Sequence, residues 1–151
     1  MDNTMALLLS DTYKQCHDRM YPNGLTKLVS YWVPRKSMLE NQNEMVFFGL
    51  QAFIKEYLMG YFQKNFFDLS EDEMLTLYTD SMDVQIGRDN YDLDKIVELH
   101  RLRYLPLEIR ALPEGTLVPM GVPCIEITNT DDKFAWLVQW IECILQVELW
   151  K

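Results

Sequence analysis

One stretch constrains this chain more than any other. From about Asp131 to Lys151 the pattern reads as a single helix that is apolar around most of its circumference. Only Gln139, Glu142 and Gln146, at spacings of three and four, form a polar stripe along it. Such a helix needs packing partners on several sides, not one. Thr130 is expected to cap it, and Asp131 and Asp132 complement its N-terminus. No Gly, Asn or Pro stops it before Lys151, so the chain is expected to be a domain cut from a longer protein.

The elements before this helix follow from local signals. Ser10-Asp11 offers a cap for a short helix from Thr12 to about Met20, closed by the turn Tyr21-Pro22-Asn23-Gly24. Leu25 to Val33 alternates as a strand, with Leu28, Ser30 and Trp32 on one side and Val29, Tyr31 and Val33 on the other. Pro34 to Glu44 reads as a loop. Met45 to Phe62 reads as a helix with Phe47, Leu50, Ile54, Tyr57, Leu58 and Tyr61 on its apolar stripe and Gln51, Lys55 and Glu56 facing out. Ser70-Glu71-Asp72-Glu73 is a capping box opening a helix to about Ile86, with Gly87 as its stop. Asp92 opens another, with Leu93, Ile96, Val97 and His100 on one face. The short apolar runs Leu107 to Leu112 and Val122 to Ile127 then predict strands. Helix, strand, three helices, strands, helix makes the expected class α+β, in one domain.

Composition excludes several functions. With 48% apolar and 13% aromatic residues over 151 positions, the chain can bury a core of about 70% of its unfolded surface. A net charge of −9 leaves no basic stripe for nucleic acid and disfavours an anionic membrane surface. Met1-Asp2-Asn3-Thr4 has no basic leader region, and no run is long enough to span a membrane. Cys16, Cys124 and Cys143 are odd in number and widely spaced, as reduced thiols are. A cytoplasmic location is expected.

Most reactive motifs are missing. There is no Gly-rich phosphate loop and no Gly-x-Ser-x-Gly elbow. Asp89, Asp92 and Asp94 do not keep calcium-loop spacing. Cys16, His17 and His100 do not keep zinc-ligand spacing, so no metal site is expected. Lys133 follows a strand as a carrier lysine would, but it falls in the first turn of the last helix, where no swinging arm can work. His100 is assigned to the edge of an apolar helix face. What remains is the first forty residues, where Asp11, Tyr13, Lys14 and His17 share one short helix and Arg35 leaves a strand that could lie beside it. Tyr13 offers a face to a planar ligand, and Lys14 and Arg35 offer positive charge to phosphate oxygens.

Asp11-Thr12-Tyr13-Lys14, then His17 and Tyr21-Pro22, resembles the opening signature of the nicotinamide phosphoribosyltransferase family. The resemblance continues through Ser30-Tyr31-Trp32 with Arg35 and through Glu44-Met45-Val46-Phe47-Phe48-Gly49-Leu50-Gln51. It returns at Leu105-Pro106-Leu107-Glu108-Ile109, Pro113-Glu114-Gly115, Asn129-Thr130-Asp131, Trp136-Leu137 and Trp140-Ile141-Glu142. The blocks keep the family's order across nearly the whole chain, with residues 63–103 diverged and Thr12 in place of the usual Ser.

The resemblance implies the hammerhead-like N-terminal α+β domain of a type II phosphoribosyltransferase. Such an enzyme joins nicotinamide to phosphoribosyl pyrophosphate, giving nicotinamide mononucleotide and pyrophosphate in NAD salvage. It implies a C-terminal α/β barrel that carries most substrate-binding and catalytic residues, with ATP and Mg2+ serving the full-length enzyme and none bound by this part. With that barrel as the last helix's missing partner, part of Trp136, Trp140, Val147 and Trp150 is expected to be bare interface and a liability for self-association. It implies a homodimer in which the N-terminal region completes the partner's active site. Tyr13 would stack on the pyridine ring with Asp11 nearby, Arg35 would approach the pyrophosphate, and Lys14 would be a further substrate-binding position; His17 takes no assigned role. The resemblance places no catalytic residue in this chain and makes it inactive alone. Two alternatives stay open: a separate interaction or regulatory module paired with a barrel chain, and a domain of a nicotinate phosphoribosyltransferase.

Overall fold

The structure, a computed structural model, describes residues 4–149, apart from the Asp18 side chain. Its frame is an antiparallel sheet ordered β1-β5-β3, formed by β1 (Val29–Trp32), β5 (Ile125–Asn129) and β3 (Leu107–Ala111). Ile127 of the central strand lies opposite Ser30 on one side and Ile109 on the other. Alternation along β1 buries Trp32 and exposes Val29 and Tyr31, as the sequence pattern requires. The strands expected over 25–33, 107–112 and 122–127 are therefore present, trimmed or shifted at their ends.

A two-stranded ribbon was not anticipated. Glu44–Val46 is β2, and it pairs antiparallel with β4 (Leu117–Pro119). The helix expected from Met45 thus starts later, at α1 (Leu50–Phe53). The reason is Gly49, whose φ of 100 turns the chain sharply between strand and helix. The helix also runs past Phe62, continuing in π winding through Ile54–Tyr61 and Gln63–Phe67. Gln51, Lys55 and Glu56 face out as expected, while Phe47, Leu50, Phe53, Leu58, Phe62, Phe66 and Phe67 are buried. The helix gains its N-terminal acceptor from afar, because Glu114 Oε1 accepts from the backbone N–H of Gly49 at 3.1 Å and of Gln51 at 2.8 Å.

The capping box holds. Ser70 and Glu73 satisfy each other's backbone N–H at the start of α2 (Glu71–Gln85). In α3 (Asp94–Leu102), Ile96, Leu99 and His100 are buried. His100 sits deeper than the edge of a face: it is wholly buried, its Nε2 lies 2.9 Å from Leu69 O, and it meets Phe66 ring to ring.

The last helix is not one helix. It comprises a 3-10 turn, Asp132–Phe134, then α4 (Leu137–Trp140) and α5 (Glu142–Leu149), with Trp150 and Lys151 outside the described residues. The cap is Asp131, which accepts from Lys133 N, and not Thr130. Partners for the apolar faces come from within the chain. α4 packs on β1, β5 and the helix over Thr12–Met20, and α5 packs on α1. Trp136 and Trp140 are 8% and 4% exposed, which corrects the expectation of bare interface at both. Trp140 Nε1 donates to Leu7 O at 2.9 Å, and Lys95 Nζ lies over both indoles. Val147 does remain exposed. Cys16, Cys124 and Cys143 are free thiols. Among the described residues no helix is long and apolar enough to cross a membrane.

Candidate functional site

The helix over Thr12–Met20 keeps the expected bounds but winds as a 3-10 helix. The Ser10 hydroxyl donates to Trp140 O at 3.1 Å. The inner side of this helix is polar. Gln15 is buried, donating to Leu7 O and accepting from the Tyr78 hydroxyl at 3.1 Å. Lys14 is buried too, and its ammonium donates to Glu142 Oε2. At the far end the Tyr21 hydroxyl donates to Gln139 Oε1 at 2.9 Å. Two of the three polar positions in the last apolar stretch, Glu142 and Gln139, therefore hold this helix and the residue just after it. The third, Gln146, donates to Glu142 Oε1 at 3.0 Å and steadies that carboxylate.

The same stripe forms one wall of a cleft of about 530 Å3. Gln139, Glu142 and Gln146 stand on that wall, and Ser30, Tyr31 and Arg35 stand across from it on β1 and the loop after it. Arg35 is exposed and makes none of the ion pairs found among the described residues, so its guanidinium is available to an anion. Lys14 is not available in that way. Burial acts to lower its pKa, but the hydrogen bond and charge of Glu142 outweigh burial and leave it above its ordinary value.

Of the four residues singled out from sequence, Arg35 lines the cleft and Lys14 reaches it through Glu142. Tyr13 and Asp11 are exposed at the start of the 3-10 helix. Tyr13 is 54% exposed, with Lys14 Nζ 5.2 Å from its ring centre and His17 at 5.4 Å on an edge-to-face approach. The Asp11 backbone N–H points at Cys143 Sγ, 3.3 Å away. Burial is the main cause that holds the Cys143 thiol above its ordinary pKa, so it is a poor nucleophile at neutral pH. Gln139, Glu142, Gln146 and Tyr31 were not singled out as site residues. The signal for the first three was present as a polar stripe on a helix with no other reason to be polar. Among the described residues no three of His, Cys, Asp and Glu come together to hold a metal ion.

Comparison with known proteins adds the family. The model described as nicotinamide phosphoribosyltransferase, N-terminal domain, matches residues 5–109. A nicotinamide phosphoribosyltransferase of Acinetobacter baylyi is 40% identical over 146 residues, covering 93% of this chain and 29% of that protein. One of Xanthomonas campestris pv. campestris is 31% identical over 146 residues, covering 96% of this chain and 28% of that protein. The chain thus spans less than a third of the length of these relatives. A crystal structure of human nicotinic acid phosphoribosyltransferase shares the fold with a TM-score of 0.63 at 17% identity, over 93% of this chain and 25% of that one. By its motifs, its fold and the match over residues 5–109, the chain belongs to the nicotinamide phosphoribosyltransferase N-terminal domain family.

Proposed function

We propose that this chain is the N-terminal domain of an enzyme that transfers a phosphoribosyl group from phosphoribosyl pyrophosphate to nicotinamide. In this reading it supplies binding residues to an active site whose donor-binding barrel belongs to the remaining length of the enzyme, and it completes the site of a partner subunit in a homodimer. The observation that carries the reading is the cleft between β1 and the polar stripe, with Arg35 unpaired on one wall. A pyrophosphate leaving group develops negative charge as the glycosidic bond breaks, and a guanidinium fixed beside it favours that change. Tyr13 gives the flat face on which a pyridine base stacks, with Asp11 two residues away. Lys14 serves by holding Glu142 in the cleft wall, since its charge is already paired.

ATP and Mg2+ are implied for the full-length enzyme; among the described residues no three of His, Cys, Asp and Glu come together to hold the ion. The matching family model and both of these relatives carry the name of nicotinamide, which supports that base over nicotinate in this reading. The test is direct. The 151-residue chain, given nicotinamide and phosphoribosyl pyrophosphate, should form no nicotinamide mononucleotide, whereas the enzyme containing these residues and a barrel should form it. Turnover by the chain alone, with contaminating enzyme excluded, would overturn the division of labour.

A further inference from the structure

His17 stands in a short column of rings. Its imidazole centre lies 5.4 Å from that of Tyr13 with the planes at 87°, and 5.9 Å from that of Tyr21 with the planes at 37°. Its Nδ1 is buried with no hydrogen-bond partner among the described residues. That nitrogen therefore does nothing to orient the ring. Its position is accounted for by ring contacts instead. The column has a fixed base, because the Tyr21 hydroxyl is held by Gln139 Oε1 at 2.9 Å, and Gln139 belongs to the cleft wall. Its top is Tyr13, more than half exposed and touched inside the domain by His17 and by the paired ammonium of Lys14.

We infer that His17 is a positioning residue: it sets the ring plane of Tyr13 so that the exposed side of that ring can stack on a flat heteroaromatic base. The inference rests on the role given to Tyr13 above and adds the residue that makes the role possible. An exposed tyrosine on a short helix turns freely about its side-chain bonds, and stacking on a ligand would have to restrict it at the moment of binding. A ring packed edge-to-face from behind has lost that freedom beforehand. The contribution comes from the aromatic face and edge of His17 and not from its nitrogens.

In the full-length enzyme containing these residues, His17→Ala is expected to raise KM for the pyridine base roughly three- to tenfold, the size of an aromatic pair. KM for the phosphoribosyl donor should stay unchanged. His17→Phe keeps a ring in the column and should bring the base KM back to within about twofold of wild type. Equal loss in both variants would overturn the inference, because a ring nitrogen would then be at work. Wild-type kinetics in both would overturn it as well, and so would a parallel rise in KM for both substrates, the mark of a general loss of fold. Tyr13→Ala separates this from the reading beneath it. A wild-type base KM in Tyr13→Ala removes the stacking role of Tyr13 itself, whereas a raised one beside unchanged His17→Ala removes only the role of His17. In the 151-residue chain, the ring-proton NMR shifts of Tyr13 should move in His17→Ala and move less in His17→Phe. Unmoved shifts in His17→Ala would sink the proposal without any assay.

Discussion

Glu142 holds the Lys14 ammonium on Oε2 and the Gln146 amide on Oε1, joining helices 128 residues apart at the edge of the cleft. The Lys14 side chain is 4% exposed and that of Glu142 is 44% exposed, so the two partners do not share the pair's desolvation equally. Glu142→Ala leaves a buried ammonium without a counter-charge and should cost about 1–3 kcal/mol in urea unfolding. Lys14→Met leaves a carboxylate that water can reach and should cost less.

The same pair fixes a pH dependence. The folded pKa of Lys14 lies above the ordinary 10.5, because the hydrogen bond and charge of Glu142 overcome a burial effect that acts to lower it. A raised pKa means stability that is fully present below 10.5 and lost as pH climbs through the folded value. The difference in unfolding free energy between wild type and Lys14→Met should therefore be flat between neutral pH and 10.5 and shrink above it. Urea titrations across that range would show it, and a difference that shrinks between neutral pH and 10.5 would contradict the assignment.

Kinetics of the full-length enzyme separate the two proposed binding residues. Tyr13→Ala should raise KM for the base and leave that for the donor, while Arg35→Ala should weaken use of the donor by a factor of about ten to a hundred, the worth of one or two charge-assisted hydrogen bonds. Arg35→Lys should recover part of the loss, since it restores charge without the planar fork. Wild-type steady-state constants in both alanine variants would remove them from the site.

Glu114 is a helix cap supplied from a turn 65 residues from Gly49, the first residue that it serves. Glu114→Ala should destabilise the domain by about 0.5–2 kcal/mol, the usual worth of a capping side chain. Glu114→Gln keeps an acceptor oxygen and should cost less. Thermal unfolding of the two variants gives the order, and an equal cost would show that charge and not the hydrogen bond matters.

Trp140 ties α4 to the first residues of the chain through its bond to Leu7 O. Trp140→Phe removes that donor and leaves a small void, with an expected loss of about 1–3 kcal/mol. Proteolysis near residues 5–9 should become faster in parallel, because the N-terminal segment loses its anchor. Unchanged cleavage there would mean that apolar packing of Met5, Ala6 and Leu7 holds the segment by itself.

Local signals were legible where the partners are close in sequence. The Ser70–Glu73 capping box is complete within four positions, and the alternation over β1 needs only neighbours. The resemblance blocks were legible as motifs, but their reasons were not. Glu114 of one block serves the backbone of Gly49 and Gln51 in another. Asn129 of a third accepts from Leu28 N and donates to Thr26 O, and Glu142 of a fourth seats Lys14 of the first. Each is a polar side chain satisfying a buried or half-buried group far along the chain, and no periodicity encodes that. The β2–β4 ribbon was missed for the same cause: three residues in each strand carry too little pattern, and their pairing comes from contact across the turns.

By itself the sequence determined the class of the fold, most helix starts, the family and the place of a polar stripe in the last apolar stretch. These depend on caps, spacing and motifs that act within a turn or two of chain. Tertiary structure decided what that stretch leans on. It broke the expected long helix at Ile141, buried Trp136 and Trp140 against Lys95 and the N-terminal segment, and turned the stripe of Gln139, Glu142 and Gln146 into a cleft wall facing Arg35. The physical reason is that burial and charge pairing belong to surfaces brought together by the sheet. A helix can announce that it needs partners, but which residues meet it is settled only when the strands have set their register.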